Sequence, residues 1–236
     1  VAAGDFNRDG LIDLYFTGNM VANALYLNRG DMRFADVTDH SATAGDDRWQ
    51  TGVTTGDVNN DGWLDIYVCA SGLRGSTENL LFVNKGETKD GIPVFEELGV
   101  ELGLNDAGYG TQASFFDYDL DGDLDCFIIN HPAKFNWSHY EMLTRDTSAR
   151  VGARDRLYQN RLKEDGQTYF VDVTDSAGIK SFGYGLGLTT IDFNKDRYPD
   201  IYISNDFVSP DYFYVNNGDG TFTDQLKSSF GHTATQ

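Results

Sequence analysis

An all-β fold made of repeated four-stranded units, a β-propeller, is what this sequence predicts. Three observations carry the prediction. A nine-residue acidic pattern occurs four times, the same strand-like words flank each copy, and no stretch carries the 3.6-residue apolar period of a long amphipathic helix. The chain has 236 residues, of which 40% are hydrophobic and 14% aromatic, enough to bury a substantial core.

The pattern reads Asp-x-Asn/Asp-x-Asp-x-x-x-Asp. Its copies run from Asp5 to Asp13, Asp57 to Asp65, Asp117 to Asp125 and Asp192 to Asp200, with starts 52, 60 and 75 residues apart. A glycine-containing run precedes the last three copies: Gly52 to Gly56, Gly110 to Phe116 and Gly185 to Ile191. Glycine there suits a crowded central axis, where side chains have least room. The residues from Val1 to Gly4 read as the tail of the equivalent strand in the first unit.

After each loop comes a β-branched or aromatic run: Leu14 to Phe16, Ile66 to Val68, Cys126 to Ile129 and Ile201 to Ile203. A further strand follows at Leu25 to Asn28, Leu80 to Asn84, Leu157 to Asn160 and Phe213 to Asn216. In most copies a glycine turn then leads to a last strand, at Phe34 to Thr38, Phe95 to Leu98, Phe170 to Thr174 and Phe222 to Asp224. The units are 1–48, 49–108, 109–182 and 183–229, with 230–236 opening another. A lone four-stranded sheet cannot bury both faces, so each unit is expected to stack on its neighbours around a shared hub.

The repeated loops have the chemistry of a calcium site. Ca²⁺ takes six to eight oxygens. Side-chain oxygens come from positions 1, 3, 5 and 9: Asp5, Asn7, Asp9 and Asp13; Asp57, Asn59, Asp61 and Asp65; Asp117, Asp119, Asp121 and Asp125; Asp192, Asn194, Asp196 and Asp200. Position 7 is spaced to offer its backbone carbonyl: Leu11, Trp63, Asp123 and Tyr198. Gly10, Gly62 and Gly122 at position 6 permit the sharp turn this requires. An EF-hand would carry a Glu at position 12 between helices. Here that position is Phe16, Val68, Ile128 or Ile203, an apolar strand residue, so the EF-hand reading fails in every copy.

One Ca²⁺ per loop, four in all, is expected; together they would bring the formal charge of −19 to −11. The third loop, with acids at all four side-chain positions, should bind most tightly. The fourth has Arg197 where glycine belongs, so it should bind weakest or adopt a different turn.

The excess of acid argues against a nucleic-acid partner, whose phosphates need a basic face, and against an anionic membrane surface. No apolar run is long enough to span a bilayer, so no membrane insertion is expected. Cys69 and Cys126 both fall in expected strands and read as buried free thiols. The four histidines have no metal-binding spacing, and neither a nucleophilic triad nor a phosphate loop is legible. No enzymatic activity is expected. The first residue is not Met and no leader is visible, which reads as a start that is missing or processed.

These words resemble the FG-GAP/VCBS repeats of the integrin α-subunit propeller. The matching residues are Phe182-Gly183, Phe230-Gly231, Gly4-Asp5 and Gly56-Asp57. The text is also similar to the cartilage acidic protein family, which often carries an ASPIC/UnbV domain afterwards. That likeness rests on Leu25 to Asn28, Phe34 to Thr38 and Phe170 to Ile179. The resemblance covers essentially the whole chain. It implies blades of a seven-bladed ring on a secreted or cell-surface protein, with structural calcium and variable binding faces. Four blades closing on themselves are the alternative. Departures from the family pattern are Arg197, the long third unit and the lack of a visible ASPIC/UnbV segment.

A recognition or adhesion module follows from this reading, with a surface filament or multi-protein assembly as the alternative and a glycan-active enzyme ranked behind both. A partner protein or glycan is expected on the insert of about 131–156, where His131, Phe135, Trp137, His139 and Tyr140 precede Arg145, Arg150, Arg154 and Arg156. A loop or short helix packed over the ring accounts for these residues equally well. Asn136-Trp137-Ser138 is a glycosylation sequon.

Overall fold

A computed structural model describes residues 1–72, 75–132, 153–206 and 209–231. Sixteen strands form four antiparallel sheets among the described residues, each in simple up-and-down order. The first sheet is β1 (Ala2–Gly4), β2 (Asp13–Phe16), β3 (Ala24–Asn28) and β4 (Phe34–Asp36). The second is β5 (Gln50–Gly56), β6 (Asp65–Ala70), β7 (Leu80–Lys89) and β8 (Ile92–Glu97). The third is β9 (Gly110–Phe116), β10 (Asp125–Asn130), β11 (Arg156–Asn160) and β12 (Phe170–Asp172). The fourth is β13 (Gly185–Ile191), β14 (Asp200–Asn205), β15 (Tyr212–Asn216) and β16 (Phe222–Asp224).

The first strands of successive sheets are neighbours, β1 with β5, β5 with β9 and β9 with β13. They therefore line the inner edge of an array of propeller blades, and every acidic loop joins a first strand to a second at one end of it. The close approach shows at Gly52, where a β-carbon would lie 2.4 Å from the carbonyl oxygen of Thr111 on the next inner strand. Hydroxyls stitch the same edge. Thr51 Oγ1 donates to the Gly110 carbonyl at 2.6 Å and Thr111 Oγ1 to that of Gly185 at 3.1 Å.

The period-2 alternation of the second strands explains the core. Ile66 and Val68 point into a cluster shared with the first blade, whereas Tyr67 and Cys69 point into one shared with the third. Cys126 and Ile128 face the second blade; Phe127 and Ile129 face the fourth. Each inner blade is apolar on both faces, so β6 and β10 are buried along their whole length. Cys69 and Cys126 are free and buried within the same cluster, and burial pushes both thiols well above their ordinary range.

Two details depart from the sequence reading. The last strands end early, at Asp36 and Asp172, because the Asp-x-Thr words turn the chain. Asp36 Oδ1 accepts the Thr38 amide at 3.0 Å, while Thr38 Oγ1 takes the amide of Leu25 at 2.9 Å. Asp172 and Thr174 repeat both bonds. Short helical turns then appear that strand periodicity cannot reveal: α1 (Thr38–Ser41), α2 (Leu162–Asp165) and α3 (Leu226–Phe230). Phe230 ends α3 with its ring 5.5 Å from that of Phe213 in the fourth sheet; of the expected opening of another blade at 230–236, residues 232–236 lie outside the described residues.

Candidate metal centres

All four loops share one hydrogen-bonded frame. In the first, Asp5 accepts the amides of Asp9 and Gly10, and Asn7 also accepts that of Asp9. Asp9 in turn accepts the amide of Leu11 at 2.9 Å. These amides order the side chains at positions 1, 3 and 5 around the turn. The frame recurs from Asp57 to Trp63 and from Asp192 to Tyr198. In the third loop Asp117 accepts the amides of Asp121 and Gly122, and Asp121 accepts that of Asp123. There, carboxylate oxygens of Asp117, Asp119 and Asp125 lie within 4.8 Å of one another.

The turn needs two left-handed residues, not one. Position 6 has φ of 85° at Gly10, 87° at Gly62 and 94° at Gly122. Position 4, unnoticed in the sequence, is left-handed too: Arg8 (58°), Asn60 (56°), Leu120 (62°) and Lys195 (67°). Arg197 adopts φ of 86° and donates its amide to Asp192 as the glycines do. The fourth loop therefore keeps the same turn, which removes the second of the two expected alternatives, and bears the strain of a side chain there. Arg197→Gly should stabilise the protein by about 0.5–1 kcal/mol, the left-handed penalty less the extra unfolded-state freedom of glycine. A thermal melt would read this as a rise of a few degrees; an unchanged or lower melting temperature would contradict it.

The ninth residue has a second task. Asp13, Asp65, Asp125 and Asp200 are each fully buried. One oxygen accepts the amide of loop position 2, from Phe6, Val58, Tyr118 or Phe193, at 2.9–3.1 Å. The other accepts the amide of Asn28, Asn160 or Asn216, the last residue of the third strand, or of Asn84 within β7, at 2.8–2.9 Å. The ninth acid thus clamps loop to sheet. Burial, partly offset by these amides, pushes the Asp65 carboxyl up to about 7 and that of Asp125 up to about 9.

Those asparagines read in sequence as strand ends, yet three of them also join the blades. Asn84 Nδ2 donates to the Phe6 carbonyl at 3.0 Å, Asn160 to that of Val58 at 2.8 Å and Asn216 to that of Tyr118 at 2.8 Å. Each amide reaches from one blade into the loop of the blade before it. The loops also touch at position 4. Arg8 donates to the Gly62 carbonyl with its guanidinium carbon 4.6 Å from the Trp63 ring centroid, and Asn60 donates to the Gly122 carbonyl at 3.0 Å. The third loop has Leu120 there, which has no side-chain donor.

Of the expected partner-binding insert, His131, Arg154 and Arg156 are described; Phe135, Asn136, Trp137, His139, Tyr140, Arg145 and Arg150 lie outside the described residues. His131 is buried with Nδ1 at 2.8 Å from the Pro132 carbonyl, and burial lowers its pKa. Arg154 pairs with Asp175, and Arg156 with Asp172 at 3.5 Å. These three serve the blade's own structure. No described helix is long and apolar enough to cross a membrane.

A family model described as an FG-GAP-like repeat matches residues 5–68, the first loop through the second. Cartilage acidic protein 1 of Homo sapiens is 34% identical over 224 residues, covering 85% of this chain and 32% of that protein. Its Mus musculus counterpart is 33% identical over 225 residues, covering 85% of this chain and 33% of the relative. The Xenopus tropicalis protein of the same name is 31% identical over 134 residues, covering 56% and 20%. The chain spans about a third of the length of the first two relatives.

Proposed function

We infer that this chain, which belongs to the FG-GAP-like repeat family, is a run of calcium-pinned propeller blades. It serves as a non-catalytic extracellular recognition or scaffold module. One observation carries the reading: four loops with the same acid spacing share one frame, and each is tied by its ninth acid to its own sheet. The donor set is all oxygen, which suits a hard cation. The Ca²⁺ would be held by positions 1, 3, 5 and 9 with the carbonyl of position 7, and it would neutralise acids that otherwise repel.

The role of the ion is structural. It closes a loop whose second residue is buried between blades in the first three copies (Phe6, Val58 and Tyr118) and meets the next blade's asparagine. Likeness to a protein named for cartilage supports an extracellular setting. Direct calcium binding tests the reading. Equilibrium dialysis should find at least one ion for each loop, and Asp61→Ala should remove one of them. A protein that takes up no calcium at millimolar concentration would defeat it.

A further inference from the structure

We propose, resting on the calcium reading of the loops, that the first three loops fill cooperatively while the fourth fills on its own. Neighbouring loops touch directly at two of the three blade junctions. Arg8, at position 4 of the first loop, donates from its guanidinium to the carbonyl of Gly62, at position 6 of the second. Asn60, at position 4 of the second, donates Nδ2 to the carbonyl of Gly122, at position 6 of the third, at 3.0 Å. At the last junction position 4 is Leu120, whose side chain has nothing to donate.

These bonds fall on the residues that shape each turn. Positions 4 and 6 are the left-handed ones, with φ of 58° and 85° in the first loop, 56° and 87° in the second, and 62° and 94° in the third. A residue other than glycine is held left-handed at a cost, so position 4 stays there only while the loop closes around it. Crowded carboxylates oppose that closure and a cation among them favours it. An ion in one loop therefore fixes the side chain that grips the next turn. The next turn is then already ordered for its own ion, which binds at a smaller cost.

The second blade adds a strap across the first junction. β7 runs for ten residues, against five in β3, β11 and β15. Its hairpin with β8 thereby gains the pairs Thr88–Pro93 and Lys89–Ile92. At the tip, the Gly91 carbonyl accepts Nδ2 of Asn7 in the first loop at 3.1 Å. Near the base, Gly86 lies against Trp63 of the second loop, where a β-carbon would come 2.8 Å from the indole nitrogen. One hairpin thus contacts both loops. The bonds from Asn84, Asn160 and Asn216 to position 2 occur at all three junctions alike. They act ahead of the turn, on a residue whose amide the buried ninth acid already holds.

A calcium titration of the full chain followed by NMR tests this. The amides of Gly10, Gly62, Gly122 and Arg197 each donate to the first acid of their own loop, and so report the four loops separately. The first three should shift together with a Hill coefficient above 1, and Arg197 on a curve of its own. Asp9→Ala should weaken the second loop about fivefold or more, and Asp61→Ala should weaken the first by the same factor. Asp196→Ala should leave the other three affinities unchanged. Arg8→Leu removes a donor but no proposed ligand, and Leu120 shows that leucine adopts this left-handed position. It should shrink the mutual effect of the first two loops. Four independent curves, a fourth loop that fills in step with the others, or coupling untouched by Arg8→Leu would each overturn the proposal and leave the calcium reading standing. Amides that ignore millimolar calcium would overturn both.

Discussion

Asp125→Ala should cost more stability than any substitution at an exposed loop acid, even with all calcium removed. Tyr118 and Asn160 both donate buried amides to this carboxyl. Removing it leaves two donors unpaired at about 1–3 kcal/mol each, so a loss of about 2–6 kcal/mol is expected. Asp9→Ala, at the exposed fifth position of the first loop, removes an acceptor whose partner amide is open to water, and should cost under about 1 kcal/mol in chelator. Both variants should lose their loop's ion. Urea unfolding in the presence of chelator separates clamp from ligand. Equal small losses from the two variants would show that the ninth acid has no structural task.

Calcium should reverse the sign of the protein's pH dependence. Asp65 and Asp125 have folded-state values of about 7 and about 9, above the ordinary 3.8, chiefly because burial penalises the charged form. Asp155, buried at the start of the third strand, is pushed up to about 7 for the same reason. A raised carboxyl contributes stability that is fully present below its unfolded value and is lost as pH rises through its folded value. The calcium-free protein should therefore lose stability steadily from about pH 4 to about pH 9. With calcium bound the trend inverts, because ligation needs deprotonated carboxyls and acid releases the ion. Melting temperatures across this range, with and without chelator, should cross. Parallel curves would contradict the account.

The blades were legible because spacing and periodicity are both local. Four acidic loops announce four units, and alternation in β6 and β10 tells which side chains face which neighbour. The helical turns were not legible, since α1, α2 and α3 are only four or five residues long and follow Asp-x-Thr turns or strand ends rather than an amphipathic pattern. The acids proposed as ligands could be named from position alone. The clamp at Asp13, Asp65, Asp125 and Asp200 could not, because its donors at Asn28, Asn84, Asn160 and Asn216 lie at unequal distances along the chain. The strain at Arg197 was readable from the missing glycine; that the chain would accept it without changing the turn was not.

A thermal melt in millimolar calcium against one in chelator is the most direct test of whether ions pin these blades. An ion present at a hundred times its dissociation constant adds about 2.7 kcal/mol to the folded state. In a chain of this size that corresponds to roughly 5–10 °C, and more where several loops fill together. A large rise in calcium that chelator abolishes is the expected result. Superimposable melts would mean that the acidic loops stand without metal, and the central claim would be wrong.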